Sequence, residues 1–246
     1  GSYDSWRGAV DFGGGLSESA AGRLNAFYEK SDSYRDYVNV ERFGINPTAT
    51  FTLSPETAFR IGYEYFDDHR TVDRGVPSQN GRPLKIREGA FFGNPDQSYA
   101  DTAVHFVHAT LEHEFTPELT LRNHTVYADY DKFYQNVHAN SAVNGAGNVS
   151  LQAYDSTTLR QNAFNQTDLI WDATTGPIKH RILAGVEFGW QDTDNTRAPN
   201  NNAAGTVNIA NPTTFVPAVF LGPLQMDNFV EVALAAVYLQ DQIELS

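Results

Sequence analysis

Cysteine is absent and methionine occurs once in the 246 residues. The missing thiols exclude a disulfide framework, a thiolate metal site and a cysteine nucleophile. Basic residues are scarce too: 17 Lys and Arg stand against 30 Asp and Glu, for a net charge of -13. So acidic a chain lacks the basic stripe that nucleic acid requires, and no nucleic-acid partner is expected. Nor does any run approach the roughly 18 apolar residues of a membrane helix. That absence excludes helical spans only, because the strands of a transmembrane barrel alternate and escape a hydropathy window. The opening GSYDSWRG has no basic n-region or apolar core and does not read as a signal peptide. The closing YLQDQIELS stops inside a strand pattern, and a piece of a longer protein is expected.

What the chain does have is aromatics, 16 Phe and 12 Tyr, and side chains that alternate with the period of a strand. The pattern is cleanest in residues 42–53, where Phe43, Ile45, Pro47, Ala49, Phe51 and Leu53 oppose Arg42, Asn46, Thr48, Thr50 and Thr52. A tight turn at 54–57 leads into Phe59, Ile61, Tyr63 and Tyr65, which oppose Arg60, Gly62 and Glu64. Comparable runs at 6–12, 23–29, 102–115, 119–133, 156–172, 180–191 and 233–246 bring the total to about nine strands. Within 102–115 the pattern slips: Val104 and Phe106 share one face, while Val107, Ala109 and Leu111 take the other. A bulge or bend is expected there. Pro47 cannot donate to a ladder and marks an expected edge or bulge.

Tight turns close strands one to two, three to four, five to six and seven to eight, the first being a Gly-, Ser- and Ala-rich stretch at 13–22. Longer connections fall on the other end, notably 67–100, 134–155 and 192–229. The first of these carries arginines and a Phe-Phe pair between glycines and prolines. Loops of that length inside ordered structure tend to be functional. Arg7, Asp11, Arg23, Glu29, Arg42, Arg60, Glu64, Arg181 and Glu187 all oppose an apolar face. In a soluble sandwich those charges face water; in a barrel they line the interior while the apolar face meets lipid. Strand length, loop asymmetry and aromatics near strand ends (Trp6, Tyr65, Trp171, Trp190) favour the barrel. The fold class expected is all-β, an antiparallel up-and-down transmembrane barrel with long extracellular loops and short periplasmic turns.

The residues also resemble a family. WRGAVDFGGGL, RLNAFYEKSDSYRDYV, ERFGINPTATFTLSPET and YEYFDDHRTVDRGVPSQNGRP are similar to early barrel strands of TonB-dependent siderophore receptors. FFGNPDQSY, LEHEFTPELTLRN and VYLQDQIELS continue the likeness. DRGVPS and FFGNPD most resemble the catecholate- and ferrichrome-type members. The resemblance implies a 22-stranded barrel of the bacterial outer membrane, plugged by an N-terminal domain and importing ferric siderophores with TonB-derived energy. Residues 1–246 then form part of the barrel domain, without the plug and the C-terminal strands. The partners implied are a ferric siderophore as transported ligand, outer-membrane lipid and lipopolysaccharide, and the TonB complex through the missing N-terminal part. A monomer with no cofactor and no enzymatic activity is expected.

Arginine stacks on and hydrogen-bonds to anionic aromatic chelates. The expected ligand contacts in the long loop are therefore Arg70, Arg74, Arg82, Arg87, Phe91, Phe92 and Tyr99. Each has a packing alternative, and Asp73 with Arg74 can instead be an ion pair shaping the turn at Gly75-Val76-Pro77. No metal site is expected: His105 and His113 share a face, His108 takes the other, and no spacing secures a ligand pair. Arg60, Glu64, Arg181 and Glu187 are expected to pair across the interior wall. The carboxylate pairs Asp67-Asp68 and Glu112/Glu114 have no nucleophile or base beside them. Two other functions compete: a soluble β-sandwich binding carbohydrate through its loops, and an outer-membrane hydrolase barrel.

Overall fold

The computed structural model describes residues 1–199, 204–220 and 222–244. In chain order its strands are β1 (Trp6–Ser17), β2 (Ala20–Asp32), β3 (Asn39–Ser54), β4 (Thr57–Thr71), β5 (Ser78–Gln79) and β6 (Arg82–Pro83). They continue with β7 (Tyr99–Thr116), β8 (Leu119–Ala139), β9 (Asn148–Thr175), β10 (Ile178–Pro199), β11 (Thr206–Asn208) and β12 (Met226–Glu244). The nine long strands lie side by side as β1-β2-β3-β4-β7-β8-β9-β10-β12, each antiparallel to the next. β11 adds to β9, and β5 with β6 forms a small hairpin. All nine belong to one sheet, so the second sheet a sandwich needs is missing among the described residues. There the sheet is also open, with β1 and β12 as its edges.

The strands outrun the sequence pattern. Residues 13–22, expected as a turn, are mostly ladder: β1 reaches Ser17 and β2 starts at Ala20. The loop at 67–100 contracts to 72–98, and that at 134–155 to 140–147. β10 runs to Pro199, and part of the third loop lies outside the described residues. The bulge expected within 102–115 does not fall where the alternation slips, between Phe106 and Val107. β4 pairs with β7 without a break from Thr57 and His113 to Thr71 and Tyr99, and the shift lies later, between Glu114 and Thr116. Val104 and Phe106 therefore face the interior. Pro47 is in a central strand; its register toward β4 lapses at 46 and 47 and resumes unchanged at Thr48.

Register carries one apolar face across the sheet. Phe51 lies beside Phe59, which lies beside Leu111, and further on Val186 lies beside Val237. His105 and His113 share that outer face and His108 the inner one, as their spacing predicts. The outer face is interrupted by Asn123, Thr125, Asn165 and Thr167. The two amides bond to each other at 3.1 and 3.2 Å and to the two hydroxyls at 2.7 Å each. Every amide proton is used, which is what apolar surroundings demand. Inside, aromatic rings sit against glycines of the next strand: Phe27 on Gly44, His108 on Gly62 and Tyr238 on Gly185. A Cβ at any of these glycines runs into the ring.

The buried core is not between two sheets. It sits on the outer-facing residues at the top of β8 and β9, namely Val137, Val149, Leu151 and Ala153, each 1% exposed or less. Leu84, Ala90 and Phe92 of the 72–98 loop and Val207 and Ala218 of the last loop cover them. Each Val, Leu or Phe side chain so buried contributes about 1.5–3 kcal/mol. Arg35, on the β2–β3 connection, fastens this block: it donates to Glu88 O at 3.0 Å and Ala90 O at 2.9 Å and pairs with Asp73 at 2.8 Å.

Candidate functional site

Most interior charges are paired. Arg23 donates to Asp11 at 2.8 Å, Arg122 meets Asp168 at 3.0 Å, Arg181 meets Asp172 at 3.4 Å and Arg7 meets Glu29 at 3.5 Å. Of the four charges expected to pair across the wall, Arg181 does so, and Glu64 accepts from Asn46 at 3.2 Å. Arg60 and Glu187 make no ion pair among the described residues.

At the top of β8, β9 and β10 the interior face is different. Alternation directs Lys132, Tyr134 and His138 of β8, Tyr154 and Arg160 of β9, and Arg197 of β10 to the same side. Arg74 joins them from the 72–98 loop. Its Nη1 donates to His138 Nε2 at 2.6 Å, and its guanidinium lies 5.8 Å from the centre of the Tyr154 ring. Arg197 lies 4.0 Å from the centre of the same ring, and Tyr134 stacks on it at 5.4 Å. Arg160 donates to Thr193 at 3.0 Å, and Lys132 lies 5.2 Å from the Tyr130 ring. Among the described residues none of Arg74, Lys132, Arg160 and Arg197 has a carboxylate partner. Four uncompensated cations in a chain of net charge -13 make a local trap for anions.

A tilted strand crosses the hydrocarbon in about 9–11 residues from its turn. On β8 the outward Asp129 and Asp131 mark the upper limit, so Tyr134 and His138 stand above the membrane. Burial, with the Arg74 charge second, pulls the His138 imidazole down to about 4. Burial, reinforced by the hydrogen bond to Tyr154, pushes the Tyr134 hydroxyl up to about 12. Both groups are neutral at pH 7. Since Nε2 of His138 accepts from Arg74, its proton is assigned to Nδ1. That nitrogen is buried and has no partner among the described residues.

The seven residues expected to meet a ligand are dispersed. Arg74 lies in the cluster just described. Arg70 points inward from the top of β4 but donates to Asp68 at 2.6 Å, which Arg42 also holds at 2.8 Å. Arg87 donates to Asp36 at 3.0 Å and clips its loop to the β2–β3 connection. Arg82 is exposed on β6, beside the Asn80-Gly81 turn whose positive φ angles suit that pair. Phe91 and Phe92, 1% and 3% exposed, are packed inside the loop block. Tyr99 faces outward between His69 and Phe133. Asp73 pairs with Arg35 rather than Arg74, while its carboxylate accepts from Gly75 N at 2.9 Å and shapes the turn. Lys132, Tyr134, Tyr154, Arg160 and Arg197 were not anticipated. Most fall in stretches that read as loops, and extending the strand alternation through those polar stretches assigns their face.

A single twisted sheet, apolar outside and charged inside, with tight turns at one end and a loop block at the other, defines a segment of an outer-membrane barrel. The family model described as "TonB dependent receptor-like, beta-barrel" matches residues 44–246, and the chain belongs to that family. The metal-pseudopaline receptor CntO of Pseudomonas aeruginosa is 28% identical over 100% of this chain and 35% of its own length. The catecholate siderophore receptor Fiu of Escherichia coli K12 is 27% identical over 84% of this chain and 30% of its own. The chain thus spans about a third of these relatives. The crystal structure of Fiu in its open form superposes with a TM-score of 0.83 at 23% identity, over 100% of this chain and 41% of that one. The ferripyoverdine receptor of P. aeruginosa gives 0.83 at 15% identity, over 97% and 33%. The family is one of transport receptors, and the sandwich reading falls away.

Proposed function

We propose that the protein to which these residues belong binds ferric siderophores outside the cell and imports them with TonB-derived energy. This chain supplies nine strands of an expected 22-stranded barrel domain and part of the ligand-facing mouth. The observation that carries the reading is the cluster of Arg74, Arg197, Lys132 and Arg160 around stacked Tyr134 and Tyr154, facing the interior without carboxylates. An anionic chelate with planar aromatic groups finds there both charge and stacking surface. Arg70 and Arg82 are outer contacts on this reading, and Arg87, Phe91, Phe92 and Tyr99 form the frame. The plug and TonB contacts, lipopolysaccharide around the wall and a monomeric state complete the proposal.

Replacing Arg197 with Ala in the complete receptor is expected to weaken binding of a ferric tris-catecholate complex about tenfold, read by fluorescence quenching. Unchanged affinity removes the cluster from the ligand site. One relative is named a metal-pseudopaline receptor, so a metal-pseudopaline complex belongs in the same titration as the second ligand class.

A further inference from the structure

We infer that His138 is a positioning residue that holds the Arg74 guanidinium against Tyr154, so that its remaining N–H groups face an incoming anion. The inference rests on the reading of the mouth cluster as the ligand site. Arg74 comes from a loop, between Asp73 and Gly75, and is exposed; the Asp73 carboxylate fixes the turn it leaves from but does not reach the guanidinium. What fixes it is one acceptor, Nε2 of His138, at 2.6 Å. His138 cannot itself move away. It is 7% exposed on β8, and the loop backbone at Gly93 bridges to it from the strand's open side. Gly93 has φ 136°, and a Cβ there meets the Val137 carbonyl, so chain and strand are in close contact.

The acceptor exists only while Nε2 carries no proton. Burial keeps it so, with the Arg74 charge from the loop second; the Tyr154 ring of β9, with Arg197 on it, has its centroid 6.0 Å away. On β8 itself the nearby Tyr134 is neutral, and among the described residues no carboxylate bonds to the ring. A guanidinium offers five N–H donors in a fixed fork. One is spent on His138, and the rest stay free for a carboxylate, phenolate or similar oxyanion.

Affinity of the complete receptor for a ferric tris-catecholate complex tests this, with assembly followed by heat-modifiable gel mobility. Arg74→Ala is expected to weaken binding about tenfold. His138→Leu, which fills the space without an acceptor, loses most of the same factor. His138→Gln restores an acceptor oxygen and stays within about twofold of wild type at pH 7. Arg74→Ala with His138→Leu together is no weaker than Arg74→Ala alone, because both act through one guanidinium. Wild-type affinity in His138→Leu beside a weakened Arg74→Ala overturns the positioning role. So does a His138→Gln variant as weak as His138→Leu, which assigns the effect to ring packing. An unaffected Arg74→Ala instead overturns the site reading beneath it.

Discussion

Two regions of the same interior wall are built from the same residue types and do different things. Near the turns, most arginines are matched, Arg23 with Asp11, Arg122 with Asp168 and Arg181 with Asp172, and Arg60 alone of these interior arginines makes no ion pair among the described residues. At the top of β8–β10, Arg74, Arg160, Arg197 and Lys132 find tyrosines, a neutral histidine and a threonine instead. Matched charges satisfy each other and stabilise the wall; unmatched ones keep their field for a ligand. The outer face divides at the same height. Below, its apolar side chains face lipid; above, where lipid ends, Val137, Leu151 and Ala153 are covered by loops. Alternation is unchanged along the strand, and only the partner of each face changes.

The comparison breaks most readily at Asp168. Arg122, Gln166 and Tyr238 all hydrogen-bond to this carboxylate, which is 3% exposed. Asp168→Ala takes the acceptor from three donors at once, with Arg122 at 41% exposure partly relieved by water, at a cost of about 3 kcal/mol in all. The expected result is a clear drop in the heat-denaturation temperature of the assembled barrel, with ligand affinity unchanged. Above the membrane the corresponding lesion is Leu151→Ala, about 2–5 kcal/mol from lost transfer energy and cavity. Because lipid does not hold this part, the barrel still assembles, and the loss appears as faster proteolysis within the 72–98 loop. If heat denaturation shifts instead, loop block and wall melt together. The smallest effect is expected at the exposed pair of Arg87 with Asp36, where Arg87→Ala leaves the rate of proteolysis close to that of the wild type.

Much of the lower wall could be read from the residues. Phe43 to Leu53 against Arg42 to Thr52 names the two faces outright, because lipid on one side and charge on the other enforce a strict period of two. The reading failed where the enforcing solvent changed. Above the lipid both faces are polar or loop-covered, so Tyr134 to Asp155 looked like a loop although most of it is ladder. Val104 and Phe106 looked like a slipped strand, because nothing in the local pattern says that the interior accepts apolar side chains. Arg74 was expected as a ligand contact from its residue type and loop. Its partners were not, since His138, Tyr154 and Arg197 are far apart in sequence and meet only through the β8–β9–β10 register. Phe91 and Phe92 show the converse: aromatic residues in a functional-looking loop that serve the loop's own core.

One charge-matched measurement tests the central contrast. Affinity for a ferric tris-catecholate complex is compared between Arg74→Ala/Arg197→Ala and Arg23→Ala/Arg181→Ala, each removing two cations from the interior wall. With the unmatched arginines gone, affinity is expected to fall about a hundredfold, and with the matched ones gone it stays at the wild-type value. Equal losses in the two receptors contradict the account, because they make net charge, and not its local pairing, the determinant of binding.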